Sequence, residues 1–461
     1  MSQVTRPTVA PPAPWDFPAA TTYDLANGLH LVTYDVPGQY VVSVRVAVPV
    51  PLDAEPTLRE GVGTIMARTL DEGTATHTAE AFARLLERKG VGYGAGVSDA
   101  GLSLDLDVVK GNLVEALDLL RQIITEPVFR EAEVARHVRS RLAEIDQERS
   151  IGANRSMLEF VRTFYAPTDR ASRPTGGSPE TVETITRDDV DAHYRRHVTA
   201  SGSTIVVAGD LGGLDVPALV GAALGGWAAG PDRARFIERS GVQASDRSRI
   251  VLVDRPGAVQ SDLLVGAPGP DRSVPGGWAP YPVLAYVLGG SPTARLDAVL
   301  REEKGYTYGT RSSFRPKRSG GSFLTFGSVR ADVTAESVGI IVDILEGGRD
   351  GFSEKEVRAG VDYIAKTAPG RFATADAIAD EAVGMAMDGR TTAFTTANLH
   401  DLVMVGPERV SAAYERFARL AGIGDGERGA GWTIVVVGDA SEHRQPLEAL
   451  GLGAVTVVTD D

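Results

Sequence analysis

The chain contains no cysteine. Disulfides and thiolate metal sites are therefore excluded, and a reducing, cytoplasmic setting is expected. A long apolar run is missing too: nothing in the 461 residues approaches the length and apolarity of a transmembrane helix, so no membrane partner is expected. There is no basic excess. Lys and Arg number 47 against 61 Asp and Glu, and the net charge of -14 disfavours nucleic acid as a partner. Histidines number only 7, and His30, His77, His137, His400 and His443 are scattered. His193 and His197 stand four apart, the spacing of a metal pair on a helix. They have Arg195 and Arg196 between them and no acidic neighbour inside the motif, which argues against metal. No phosphate loop is present, since neither Gly61-Val62-Gly63 nor Gly289-Gly290 is followed by a Lys-Ser/Thr pair. No Ser-His-Asp or Cys-His order can be argued. Residues 1–18 are rich in Pro, Ala and Thr, lack the apolar core of a signal peptide and read as a flexible tail.

What is present is a duplication. Thr204-Ile205-Val206-Val207-Ala208-Gly209-Asp210 recurs as Thr433-Ile434-Val435-Val436-Val437-Gly438-Asp439, 229 residues on. Phe129-Arg130-Glu131-Ala132-Glu133-Val134 recurs as Phe352-Ser353-Glu354-Lys355-Glu356-Val357 after 223 residues, and Asp35-Val36-Pro37-Gly38 as Asp254-Arg255-Pro256-Gly257 after 219. Three matches in one order at similar offsets point to two homologous halves. Leu102, Leu104, Leu106 and Val108 alternate with polar residues and predict a half-buried strand. Leu113, Ala116, Leu117, Leu120, Ile123 and Ile124 then keep a helical period up to Pro127. The second half repeats this with a strand over 322–329 and a helix whose face is Val338, Ile341, Val342 and Leu345. Further helices are expected near 131–147 and 354–368. The fold class is therefore α+β: two homologous α/β-sandwich halves, each a mostly antiparallel sheet covered on one side by helices. The expected division is a first domain at 19–225, a linker at 226–249 rich in Gly, Arg and Asp, and a second domain at 250–461.

The segment Glu60-Gly61-Val62-Gly63-Thr64-Ile65-Met66-Ala67-Arg68-Thr69-Leu70 resembles the active-site helix of the pitrilysin/insulinase zinc peptidases. That helix carries the inverted motif H-x-x-E-H. Here the frame reads Thr64-Ile65-Met66-Ala67-Arg68, so the three working positions, Thr64, Ala67 and Arg68, hold none of the motif residues. Thr64 offers only a hydroxyl, Ala67 no base, and Arg68 is a permanent cation without a lone pair. Val62, Ile65, Met66 and Leu70 still mark an apolar helix face. The family's third ligand is a downstream Glu, near whose place Glu144 falls. Without the histidines, Glu144 reads as an ordinary helix carboxylate. Asn27-Gly28-Leu29-His30-Leu31-Val32 and Pro174-Thr175-Gly176-Gly177 resemble the family's opening strand and mid-domain loop.

Leu300-Arg301-Glu302-Glu303-Lys304-Gly305-Tyr306-Thr307-Tyr308-Gly309 is similar to the family's arginine–tyrosine segment, in which an Arg and a Tyr stand seven residues apart. Ala294, Leu296, Val299 and Leu300 predict a helix ending at Gly305. Tyr306 and Tyr308 would open a strand and face one side, with Arg301 and Tyr308 converging. The resemblance implies a non-catalytic, zinc-deficient subunit of a bacterial heterodimeric metallopeptidase, inactive alone. It implies no cofactor in this chain, zinc in a homologous H-x-x-E-H partner, and donation of Arg301 and Tyr308 in trans to hydrolyse a peptide or leader peptide. The alternative is a catalytically inert scaffold or peptide-binding protein of the same fold.

Overall fold

A computed structural model describes residues 10–50, 52–231, 241, 243–244, 247–318, 320–424 and 426–459. Among them, twelve strands form two six-stranded sheets. The first holds β1 (Thr21–Asp24), β2 (His30–Asp35), β3 (Val41–Val48), β4 (Gly92–Ser98), β5 (Gly101–Val109) and β6 (Thr204–Gly209), in the order β1-β2-β6-β3-β5-β4. The second holds β7 (Arg249–Asp254), β8 (Gln260–Pro268), β9 (Thr307–Pro316), β10 (Gly321–Arg330), β11 (Thr433–Gly438) and β12 (Ala454–Thr459), in the order β12-β7-β11-β8-β10-β9. The last five strands of one order map onto those of the other, with β2–β6 and β7–β11 parallel. The outermost strand breaks the symmetry: β1 precedes β2 and runs antiparallel to it, whereas β12 ends the second half and runs parallel to β7.

The repeated sequence signatures make the same turn twice. Asp210 Oδ2 accepts the Gly38 N–H at 3.0 Å and Asp439 Oδ2 accepts the Gly257 N–H at 2.7 Å. Asp35 Oδ1 accepts from Leu211 N and Asp254 Oδ1 from Ala440 N, each at 2.9 Å. Each Asp-x-Pro-Gly turn is thus clamped by the Gly-Asp that ends the neighbouring parallel strand. Gly38 and Gly257 have φ of +86° and +73°, which explains glycine there.

The alternating leucines of β5 are buried with Val42, Val44, Val46 and Val48 of β3 against the first half's own helices. The expected helices fall at Leu113–Thr125, Glu131–Ser150, Thr334–Glu346 and Glu354–Arg371. Helical cover is not confined to one side, however. The helix Gly152–Phe164 packs on β8 and β11 of the second sheet, and its repeat Ala375–Met387 packs on β3 and β6 of the first. Phe160 and Phe164 sit among Val251, Val253, Leu264, Leu324, Val435 and Val437. The halves exchange equivalent helices, so each sheet has its own helices on one face and a borrowed one on the other.

Residues 1–9 of the expected tail lie outside the described residues. At its far end Trp15 stacks on Phe372 at 5.7 Å between ring centroids, and Phe17 is buried against Tyr34 and Phe372. Residues 232–240, 242, 245 and 246 of the expected linker also lie outside the described residues. Among the described residues no helix is long and apolar enough to cross a membrane.

Candidate functional site

The degenerate motif lies on the helix Val62–Thr69. Its apolar face is buried, as are Gly63, Ala67 and Thr69; only Thr64 and Arg68 are half-exposed. They stand four residues apart, one turn above the other on a single face. The N-terminus of this helix is held by a buried carboxylate, because Glu55 accepts from Gly61 N at 3.2 Å and Gly63 N at 2.9 Å. Arg170 Nη2 balances Glu55 at 2.8 Å, and Arg173 Nε balances the buried Glu60 at 2.8 Å. Burial raises the Glu55 carboxyl above its ordinary value, and Arg170 opposes that rise. The Pro174–Gly177 loop closes over this end: a Cβ on Gly177 would lie 2.2 Å from the Glu60 carbonyl oxygen, so only glycine lets the two backbones meet. The motif helix and the family-like Pro174–Gly177 loop are therefore in contact. A cavity of about 640 Å³ opens beside them, lined by Glu55, Glu60, Arg170 and Arg173 from the first half and Lys317 and Asp388 from the second.

Glu144 lies on the helix Glu131–Ser150 and meets Arg68 face to face. Arg68 Nη1 donates to Oε1 at 2.8 Å and Nη2 to Oε2 at 2.7 Å. Arg141 adds a bond to Glu144 at 3.4 Å and holds Glu148 at 2.6 and 3.1 Å. The Arg68 hydrogen bond is the chief reason that the Glu144 carboxyl lies below its usual value. Glu144 is a carboxylate on this helix, and it is the partner of the residue at the motif's last position. Zinc, which the family's intact motif holds, does not fit these residues: a threonine, an alanine and an arginine already paired to the remaining carboxylate form no donor set. Among the described residues no group of three or more His, Asp or Glu is placed to hold a metal ion.

His193 and His197 lie on the helix Arg187–His197 with ring centroids 4.7 Å apart. Both are buried, and their helix packs against the motif helix. Burial first, then His197 and Arg196, push the His193 imidazole down to about 4, so it is neutral at pH 7.

In the second half the predicted helix starts at Arg295 but widens into a π-helical turn over Ala298–Glu303 that carries Arg301. Such turns recur at functional sites. Gly305, at φ +64°, reverses the chain as expected, and Tyr306 N donates to Leu300 O at 2.8 Å to close the corner. No hydrogen bond joins Arg301 and Tyr308 among the described residues. The Arg301 Nε lies 3.6 Å from the Glu302 carboxylate, and Tyr308 is 95% exposed. The Tyr306 hydroxyl donates to Glu336 at 2.9 Å, and Tyr308 stands at the register break of the β9–β10 pair. Arg301 and Tyr308 lie in the second half, and Thr64, Ala67 and Arg68 in the first.

Sequence reasoning missed Asp297. Its carboxylate is fully buried and accepts Thr310 N at 2.7 Å and Thr310 Oγ1 at 2.9 Å, with Arg311 Nη1 at 3.5 Å. It begins the turn that carries Arg301 and grips the strand two residues past Tyr308. The available signal was an acid inside the apolar pattern Leu296, Val299, Leu300. The Glu55–Arg170 and Glu60–Arg173 pairs were also missed, since their members are more than 100 residues apart in sequence.

Comparison with known proteins agrees with this architecture. The sequence profile "Insulinase (Peptidase family M16)" matches residues 31–163, and "Peptidase M16 inactive domain" matches residues 184–362. An uncharacterized zinc protease of Mycobacterium tuberculosis is 25% identical over 354 residues, 76% of this chain and 79% of that protein. A non-peptidase homolog of Helicobacter pylori is 25% identical over 258 residues, 55% of this chain and 58% of that protein. A crystal structure of a peptidase M16 inactive domain from Pseudomonas fluorescens superposes with a TM-score of 0.81 at 20% identity, covering 91% of this chain and 98% of that one. A protease from Helicobacter pylori gives 0.80 at 14% identity, with 91% and 99% covered. Both domain profiles of the insulinase family, peptidase family M16, thus match this chain in order, on the two-sheet fold that it shares with those structures.

Proposed function

We propose that the chain is the non-catalytic subunit of a heterodimeric zinc peptidase. It forms half of a peptide chamber and presents Arg301 and Tyr308 to a homologous subunit that carries an intact H-x-x-E-H helix. The observation that carries this reading is the ion pair between Arg68 and Glu144 at 2.7 Å. With a cation against the remaining carboxylate and alanine at the place of the base, the motif helix carries no group that activates water. Its second half nevertheless keeps a Tyr hydroxyl exposed beside an Arg-bearing turn. A Tyr hydroxyl donates to the oxyanion that forms as a peptide carbonyl is attacked. Arg holds the substrate carbonyl or the same developing charge. The substrate is an unfolded peptide or leader segment, bound extended through backbone hydrogen bonds in the zinc subunit. The relatives described as a non-peptidase homolog and as an inactive domain are in keeping with a subunit of this kind.

The test is reconstitution. The chain is mixed with a homologous H-x-x-E-H chain and zinc, and cleavage of an unfolded fluorogenic peptide is followed. The mixture is expected to outpace the zinc chain alone. Tyr308→Phe is expected to lower its turnover by ~10²–10³, and Arg301→Ala to act in the same direction. A zinc chain equally active alone, or variants equal to the parent, would leave only the scaffold reading.

A further inference from the structure

The mismatch between this helix and zinc has a positive content that does not depend on the trans-donor reading. We propose that Arg68 is a resident cation: its guanidinium takes, on Glu144, the place a divalent ion would hold, and leaves that carboxylate poised to ligate once the arginine is removed. Three observations carry this. Thr64 and Arg68 are the two half-exposed residues of an otherwise buried helix, so the open stripe of the helix coincides with the two imidazole positions of the motif. Glu144 comes to that stripe from another helix, 76 residues away in sequence, and gives each of its oxygens to a separate guanidinium nitrogen. Both side chains keep some solvent access, at 31% and 40% exposure, so an ion could reach the place from water.

The chemistry is a competition for lone pairs. A carboxylate ligates zinc through an oxygen at about 2.0–2.2 Å. A bidentate guanidinium engages both oxygens at once and sets a permanent positive charge where the ion would sit. Charge balance on this wall is then met without metal, and the helices Val62–Thr69 and Glu131–Ser150 are tied by the same contact. An imidazole at position 64 alone would still face the guanidinium. Imidazoles at both 64 and 68 would leave Glu144 only its longer 3.4 Å contact with Arg141 and would lie one turn apart beside it.

Equilibrium dialysis of the purified full chain against zinc chloride, with elemental analysis of the protein, tests this. The parent and Thr64→His are expected to retain no stoichiometric zinc. The double variant T64H/R68H is expected to retain about one ion per chain, and adding Glu144→Gln should weaken that binding at least about tenfold. Stoichiometric zinc in the parent, equal binding by T64H and T64H/R68H, or indifference to Glu144→Gln would each overturn the proposal. So would a folded T64H/R68H chain, judged by circular dichroism, that binds none. Should the double variant not fold, Arg68→Ala serves instead. Its Glu144 carboxyl, followed by NMR titration, must then titrate at a higher pH than in the parent, and an unmoved titration would refute the pairing.

Discussion

Asp297 ties two irregular pieces of backbone together. It stands at the entry to the π-helical turn that carries Arg301 and takes the Thr310 N–H and hydroxyl from the strand that carries Tyr308. A buried carboxylate with several donors is tolerated because they replace the water it has lost. Asp297→Ala would leave the buried Thr310 N–H without its acceptor, a loss of roughly 1–3 kcal/mol. Asp297→Asn keeps an acceptor oxygen at that position and should cost less. Guanidinium unfolding of the purified chain checks the order. If the alanine variant falls within roughly 0.5 kcal/mol of the parent, the range of an ordinary surface change, Asp297 does not hold the corner. At this scale the sequence exposes composition and loses pairing. That Thr64, Ala67 and Arg68 cannot hold zinc follows from their side chains alone. That Arg68 grips Glu144 does not, because a partner 76 residues away leaves no local pattern.

Elements were more legible than residues, wherever periodicity had a single cause. Leu102, Leu104, Leu106 and Val108 alternate because one face of β5 is buried, and they lie there. Val338, Ile341, Val342 and Leu345 repeat helically because one face of Thr334–Glu346 is buried, as found. The exchanged helices defeat such reading. Phe160 and Phe164 announce an apolar face, but nothing local says that it seats on the distant strands β8 and β11. The seat itself carries a mark that only structure explains. A Cβ on Gly266 would lie 2.5 Å from the Phe160 ring, and the matching position in β3 is Ala47, also fully buried. Both are small where the borrowed helix crosses. Gly266→Val is therefore expected to cost about 1–3 kcal/mol by overpacking. Combined with Phe160→Ala, the pair should destabilise less than the sum of the single variants, because the valine then fills part of the vacated space. Additive effects in denaturant unfolding would place Phe160 elsewhere than over Gly266.

At the level of the whole molecule, the exchange makes the two halves one cooperative body. The first sheet needs Ala375–Met387 over β3 and β6, and the second needs Gly152–Phe164 over β8 and β11. Charge follows the same route: Arg45 of β3, itself buried, donates to Asp380 of the borrowed helix at 2.7 Å. The amino-terminal segment adds a third tie, with Asp16 against His400 at 2.7 Å and Phe17 against Phe372. Separating the halves would uncover both helix seats and leave each exchanged helix with an apolar face in water, a surface of the kind that drives association. Fragments 10–231 and 247–459, expressed apart, are accordingly expected to bind a hydrophobic dye and to lack a sharp thermal transition. Mixed, they should lose the dye signal and unfold in one transition, since each supplies the helix the other lacks. The discriminating measurement is calorimetry on the isolated fragments. A sharp transition in either one, with heat in proportion to its length, would mean that the exchanged helix is dispensable to the sheet it covers, and that the halves are joined only at a surface.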